Sequence, residues 1–327
     1  MKRTVSTLIS LAVAGLLSSG VFAADEKFQL NLSHQMAADH TLNIVALRFA
    51  EAVKEKTKGN VTIKVFPSGQ LGGEKDNAAG LKSGVLDLGI IAVEFYPSFV
   101  PESAVLVLPY MYKDYPHTAR VLASDVAKDI SKMILDKTDV RILTYMPMAF
   151  RQMFTADKPL NTVADLKNLK MRVPESPIYV ASFKQFGAAP TPLAFGEIYS
   201  GLQTGVVKGV ENTPEAILTI SAQEVTKYLN ITSHLEAPTT ISMSEKLFKK
   251  MPKEYQDALM SAAADAAKFD MDLTIKNDTA AMDTLKTKMT VVNSDKASFK
   301  AAIKYDQIEL VNTDKGRELI KRLTAIQ

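Results

Sequence analysis

Arg172 is the residue best placed to do chemistry. It stands in Leu169-Lys170-Met171-Arg172-Val173-Pro174, an apolar strand-like run that Pro174 ends because proline has no N–H to give a sheet. A guanidinium there can project into a crevice as a planar fork that grips a carboxylate with two hydrogen bonds. It can equally reach out to solvent or pair with a structural glutamate, and the local sequence does not choose. Arg151, in Ala149-Phe150-Arg151-Gln152, carries the same two readings in weaker surroundings. Of His34, His40, His117 and His234, only the first two are close in sequence, and not at the spacing of one helix face. His40 reads as a helix-start residue. His34, at the end of a strand, is the better crevice candidate. With no cysteine in the chain and three or four ligands normally needed, no metal site is expected.

Other chemistries find little support. There is no G-x-S-x-G elbow and no Walker loop, and Gly72-Gly73 is a turn pair rather than a phosphate cradle. The absence of cysteine excludes thiol catalysis and a disulfide scaffold. The two carboxylates of a glycosidase carry no fixed spacing, so motif alone does not exclude one. A chain without tryptophan is nonetheless a poor match to a cleft that stacks sugar rings. No cofactor motif is present.

The elements that would position these groups alternate between strand and helix. Phe28, Leu30 and Leu32 alternate with polar residues as a strand. Leu42, Val45, Ala46, Phe49 and Val53 follow at helical spacing until Gly59-Asn60. Val61, Ile63 and Val65 form a second strand, completing a β-α-β unit whose crevice lies at the carboxyl ends of parallel strands. The alternation predicts further helices over 74–82, 118–135, 177–186 and 197–204. It predicts strands over 85–93, 140–145, 169–173, 206–210 and 239–243. From Lys253 to Met289 there is no proline or glycine, which predicts one long helix tying two lobes together. Two shorter helices, 298–310 and 315–325, close the chain. No linker is visible, so the chain must cross between lobes more than once.

Composition agrees with a globular protein. The 327 residues suit about two domains of roughly 150 residues each. They are 46% hydrophobic, and no basic run marks a nucleic-acid footprint. Residues 1–23 read as a secretory signal: Lys2 and Arg3, an apolar run over Leu8–Leu17, and Val21-Phe22-Ala23 before the cut. Its loss takes the formal charge from +3 to +1 by removing Lys2 and Arg3. An exported protein in the periplasm, of Gram-negative type, is the expectation, and a cytoplasmic nucleotide-dependent enzyme is not.

The ordered motifs resemble one family, the solute-binding proteins of TRAP (tripartite ATP-independent periplasmic) transporters. They begin with the helix segment from Phe49 to Gly59 and Phe66-Pro67-Ser68-Gly69-Gln70-Leu71-Gly72-Gly73-Glu74. Leu108-Pro109-Tyr110 follows, then the segment from Asp165 to Pro174 and Gly187-Ala188-Ala189-Pro190-Thr191-Pro192-Leu193. The last are the run from Glu197 to Val207 and Gly209-Val210-Glu211-Asn212.

The resemblance implies a two-lobed α/β periplasmic-binding-protein fold with hinge strands and a long C-terminal helix crossing both lobes. It places 24–147 and 237–276 in lobe I, and 148–236 and 277–327 in lobe II. It implies that Arg172 pairs with a ligand carboxylate, that Arg151 joins it, that Asn212 hydrogen-bonds the same end, and that Phe195 lies against the ligand body. His34 and Glu94 are the polar candidates on the first-lobe side. Lys208 stands where the family usually has Asp, and is expected at the surface. The positions matching the charged pair of sialic-acid binders are Ala92 and Phe95, which argues against sialic acid. The implied function is binding without catalysis: an organic acid, with a lean to a sugar acid, is captured by hinge closure and passed to the small and large subunits of a TRAP permease. The alternatives are a C4-dicarboxylate or another acid serving a different transporter or a sensor kinase, and more remotely a secreted hydrolase. A monomer is the default, with no nucleic-acid partner.

Overall fold

The computed structural model describes residues 26–327, so the expected signal segment lies outside the described residues. The chain opens with β1 (Phe28–Ser33), α1 (Thr41–Lys56), β2 (Val61–Phe66), α2 (Glu74–Ser83) and β3 (Leu88–Ala92). Two 3₁₀ helices, Val93–Ser98 and Pro101–Val107, lead to α3 (Tyr115–Leu122), α4 (Asp125–Thr138) and β4 (Val140–Met146). Then come β5 (Arg151–Thr155), β6 (Lys170–Val173), α5 (Pro177–Gln185), β7 (Ala189–Pro192), α6 (Ile198–Gln203), β8 (Gly209–Asn212), α7 (Pro214–Thr219) and β9 (Tyr228–Leu235). The remainder is β10 (Thr239–Ser244), α8 (Glu245–Phe248), α9 (Lys253–Lys288), β11 (Thr290–Val292), α10 (Lys296–Ala302) and α11 (Asp314–Thr324).

Two sheets organise these elements. The first has the order β2-β1-β3-β10-β4, the second β11-β9-β5-β8-β6-β7. β1, β2 and β3 are parallel, as are β6, β7 and β8. The chain passes from the first sheet to the second at 147–150, returns at 236–238, and crosses again along α9.

Helix α1 forms for the reasons its sequence suggests. The His40 Nδ1 accepts from the Leu42 N–H at the N-cap. Leu42, Val45, Ala46, Phe49 and Val53 are buried against the first sheet and α9. Lys58 and Gly59, at φ 52° and 83°, end it. Helix α9 runs 36 residues, about 54 Å at the usual rise. Its first half gives Tyr255, Leu259, Ala262, Ala263 and Ala266 to the first-lobe core. Leu285 and the following Met289 belong to a core with Phe154, Val210 and Leu229 of the second sheet.

Four expectations change. The 118–135 helix is two helices, because Ser124 caps α4 through its Oγ and interrupts the run. The 298–310 helix stops at Ala302, followed by a single 3₁₀ turn over Tyr305–Gln307. Strands β5, β7, β9 and β11 were not anticipated; β5 is buried at every position, so it shows no polar alternation. Finally, α11 packs on α4 and the Pro101–Val107 turn, with Arg322 2.8 Å from Asp129. The end of the chain thus lies against first-lobe helices, where the sequence reading puts it with lobe II.

Candidate functional site

The carboxyl ends of both parallel strand sets point into one cavity between the sheets. On the first-lobe side, β1 delivers His34, the loop after β2 delivers Glu74, and β3 delivers Glu94. On the second-lobe side, β6 delivers Arg172, β7 leads to Leu193 and Phe195, and β8 ends in Asn212. Arg151, at the start of β5, completes the wall, with apolar Met36, Leu42, Phe95 and Met148 between the polar groups. All six residues singled out from the sequence line this cavity. Its volume is about 50 Å³, and Ser176 and Tyr179 on one side donate to Glu94 on the other, so the lobes stand closed over it.

Arg172 is 3% exposed and has no carboxylate partner among the described residues. Its Nε and Nη2 donate to the Leu193 carbonyl oxygen at 3.0 and 2.7 Å, which fixes the fork. Burial pulls its pKa down to about 10, the mark of a charge short of compensation.

Arg151 differs. Its Nε and Nη2 bond the two Glu211 carboxylate oxygens at 2.5 and 2.7 Å, and Nη2 also reaches the Glu211 carbonyl at 3.1 Å. Burial opposes its charge, but Glu211 more than offsets this and holds the pKa above the usual arginine value. The His234 Nε2 stands 3.4 Å from the same carboxylate. The fork expected to join Arg172 on a ligand is therefore already occupied by an acid of the protein itself. Successive residues on a strand face opposite ways, so Glu211 turns to Arg151 while Asn212 turns to the cavity. The Asn212 Oδ1 accepts from the Thr213 N–H at 2.8 Å, leaving its Nδ2 as a donor without a protein partner among the described residues.

Glu74 was not anticipated. The 67–73 turn places it at the first position of α2, where Gly72 sits at φ 115° and the Gly73 N–H donates to Asp76 Oδ2. Its carboxylate accepts from the Ala92 N–H. Burial, then the nearby Glu94, push its pKa up to about 8. Burial likewise raises Glu94 to about 7, against the pull of Arg151. Glu94 also ties the lobes: its carbonyl accepts from Ser176 Oγ at 2.5 Å and its carboxylate from the Tyr179 hydroxyl at 3.4 Å. Across the hinge, Glu215 accepts from the Thr41 N–H and Oγ1, both at 2.9 Å.

These raised acids give a pH prediction. A carboxyl whose folded pKa exceeds its unfolded value favours the fold at low pH, and that advantage is lost as pH rises from about 4.5 to the folded pKa. Glu74→Gln removes that contribution, so its Tm relative to the wild type should rise between pH 5 and pH 8. An unchanged slope in the variant would refute the assignment.

Lys208 is half-buried and pairs with Asp157 at 3.1 Å, and it is not among the residues lining the cavity. No group of three or more His, Asp or Glu among the described residues is arranged to hold a metal ion, and no helix among them is long and apolar enough to cross a membrane.

Comparison with known proteins places this geometry. Residues 32–312 match the family model of the bacterial extracellular solute-binding proteins, family 7. A solute-binding protein of Roseobacter denitrificans is 33% identical over 293 residues, 89% of each chain. A crystal structure of a TRAP periplasmic solute-binding protein from that organism, with bound L-galactonate, matches 91% of this chain and 99% of its own at TM-score 0.85 and 30% identity. A second from the same organism, with bound β-D-glucuronate, matches 91% of this chain and all of its own at TM-score 0.87 and 28% identity. The C4-dicarboxylate-binding periplasmic protein of Rhodobacter capsulatus is 28% identical over 87% of this chain and 85% of its own. With its two sheets, spanning helix and shared cavity, this chain belongs to the family 7 extracellular solute-binding proteins, the solute-binding components of TRAP transporters.

Proposed function

We propose that this protein captures a sugar acid in the periplasm and delivers it to the two membrane subunits of a TRAP-type permease. The observation that carries the reading is the Arg172 guanidinium, held rigid at the cavity wall and lacking an acid. A buried cation without a counter-ion is costly, and a ligand carboxylate relieves that cost with charge-assisted bonds. Asn212 supplies a further donor to the same end, and Phe195 an apolar surface for the ligand body. Glu74, Glu94 and His34 face the hydroxyls. The acids bound to two solved relatives, L-galactonate and β-D-glucuronate, share these two chemical features, one carboxylate and several hydroxyls.

Closure follows from differential contact. A ligand touching Arg172 on one lobe and His34 or Glu94 on the other favours the closed arrangement by just the free energy of the contacts made only there. A C4-dicarboxylate fits less well. Its second carboxylate needs another cation, and Lys75 at the cavity rim is paired with Glu175 at 3.3 Å.

The test is a thermal-shift screen of the purified mature chain against L-galactonate, D-glucuronate, D-galacturonate, succinate, malate, pyruvate and the neutral sugars. A ligand at 100 times its Kd adds about 2.7 kcal/mol of stability. Saturable stabilisation by a sugar acid, and none by neutral sugars, is the expected result. Stabilisation by neutral sugars alone, or by none of the acids, would overturn the reading.

A further inference from the structure

His34 follows the last residue of β1, is 1% exposed and lines the cavity on the side away from Arg172. Its Nε2 lies 3.2 Å from Asn43 Oδ1. The Asn43 amide is itself oriented: its Nδ2 donates to the Ala38 carbonyl at 2.7 Å, so the oxygen is the atom facing the ring. An amide oxygen only accepts, so Nε2 carries the ring proton and donates it to Asn43. The Nδ1 is then a bare lone pair. It is buried and has no partner among the described residues. Burial holds the ring pKa down at about 4, so the imidazole stays neutral over the physiological range.

A lone pair of this kind asks for a donor. A ligand hydroxyl satisfies it; a carboxylate presents only oxygen lone pairs and is repelled. The rest of the cavity agrees by its charges. Arg151 is neutralised by Glu211 and Lys75 is paired with Glu175, which leaves Arg172 as the cation open to a ligand among the lining residues.

We propose that His34, locked by Asn43 as the Nε2–H tautomer, reads a ligand hydroxyl through Nδ1 and rejects acids with a second carboxylate at that end, so that the site takes polyhydroxylated monocarboxylates. Asn43 is a positioning residue, acting on the ligand only through the imidazole. The inference rests on the reading of Arg172 as the carboxylate clamp.

Two matched pairs isolate the point: L-galactonate against galactarate, and D-gluconate against D-glucarate. Each pair exchanges one terminal group for a carboxylate. Titration calorimetry on the wild type should give at least one monocarboxylate about 100-fold or more tighter than its partner, as expected where a mismatched group leaves a buried polar atom unpaired. His34→Leu, which removes the acceptor, should weaken the monocarboxylate about tenfold and narrow the gap. Asn43→Asp gives the ring an anionic partner, favours the doubly protonated imidazolium, and turns Nδ1 into a donor; the preference should then shift toward the diacid. This second variant also covers the case in which His34→Leu does not fold.

Equal binding of acid and diacid by the wild type, or a gap that neither variant moves, overturns the proposal. It does so while leaving the Arg172 reading intact, provided Arg172→Ala still abolishes binding. Binding of another acid with failure of both monocarboxylates also overturns it. If Arg172→Ala binds as the wild type does, the underlying reading has failed instead.

Discussion

Arg172→Ala should yield a folded protein whose Tm no longer responds to the sugar acid that stabilises the wild type. Truncating one member of a buried, hydrogen-bonded charge pair costs about 3–5 kcal/mol. That is about two to three and a half decades in Kd, since each 1.4 kcal/mol is tenfold. The unliganded variant gives the discriminating control. Its parent holds a buried guanidinium hydrogen-bonded to a carbonyl oxygen, with no acid in ion-pair contact among the described residues. Removing such a group relieves a desolvated charge, so the ligand-free Tm should hold steady or rise. Undiminished affinity would detach the cation from the ligand. A collapsed ligand-free fold would mean that Arg172 is a structural strut.

Glu211→Gln should have the opposite profile, with large damage to the fold itself. It leaves the Arg151 guanidinium, 6% exposed, without its counter-charge. The expected loss is about 3–5 kcal/mol, a fall in Tm on the order of 10 °C for a chain of this size. The double variant Arg151→Met/Glu211→Met removes both charges, and should be more stable than the sum of the single effects predicts. Chemical denaturation of the wild type, Arg151→Met, Glu211→Met and the double variant gives the coupling energy. A coupling near zero would reduce the pair to an incidental contact and reopen Arg151 as a ligand group.

The contrast between the two arginines shows where sequence reasoning reached and where it stopped. The place of Arg172 near the end of a strand was legible because the strand and its terminating proline are contiguous, but its residues left the ligand role open, and only the family resemblance implied it. Arg151 was read in the same terms, yet its fate is set by Glu211, 60 positions away and brought alongside by the pairing of β5 with β8. Nothing local distinguishes a cation with an acid from one without. Glu74 escaped notice for a related reason. It reads as the opening residue of a helix, and only the return of the chain at β3 buries it beside Glu94. Helix α9 was legible almost to the residue, because absence of glycine and proline is a property of the segment alone. The break at Ser124 was not, since a single capping hydroxyl outweighed an otherwise continuous apolar pattern.

The uninterrupted α9 has a mechanical consequence. Its two ends are anchored in different cores, Leu259 and Ala263 in one and Leu285 in the other. A rod held at both ends resists swivelling, and this one has no interior proline or glycine at which to fold. The jaws must therefore gape by flexure distributed along the rod and by the short connectors at 147–150 and 236–238, rather than by a swivel at one joint.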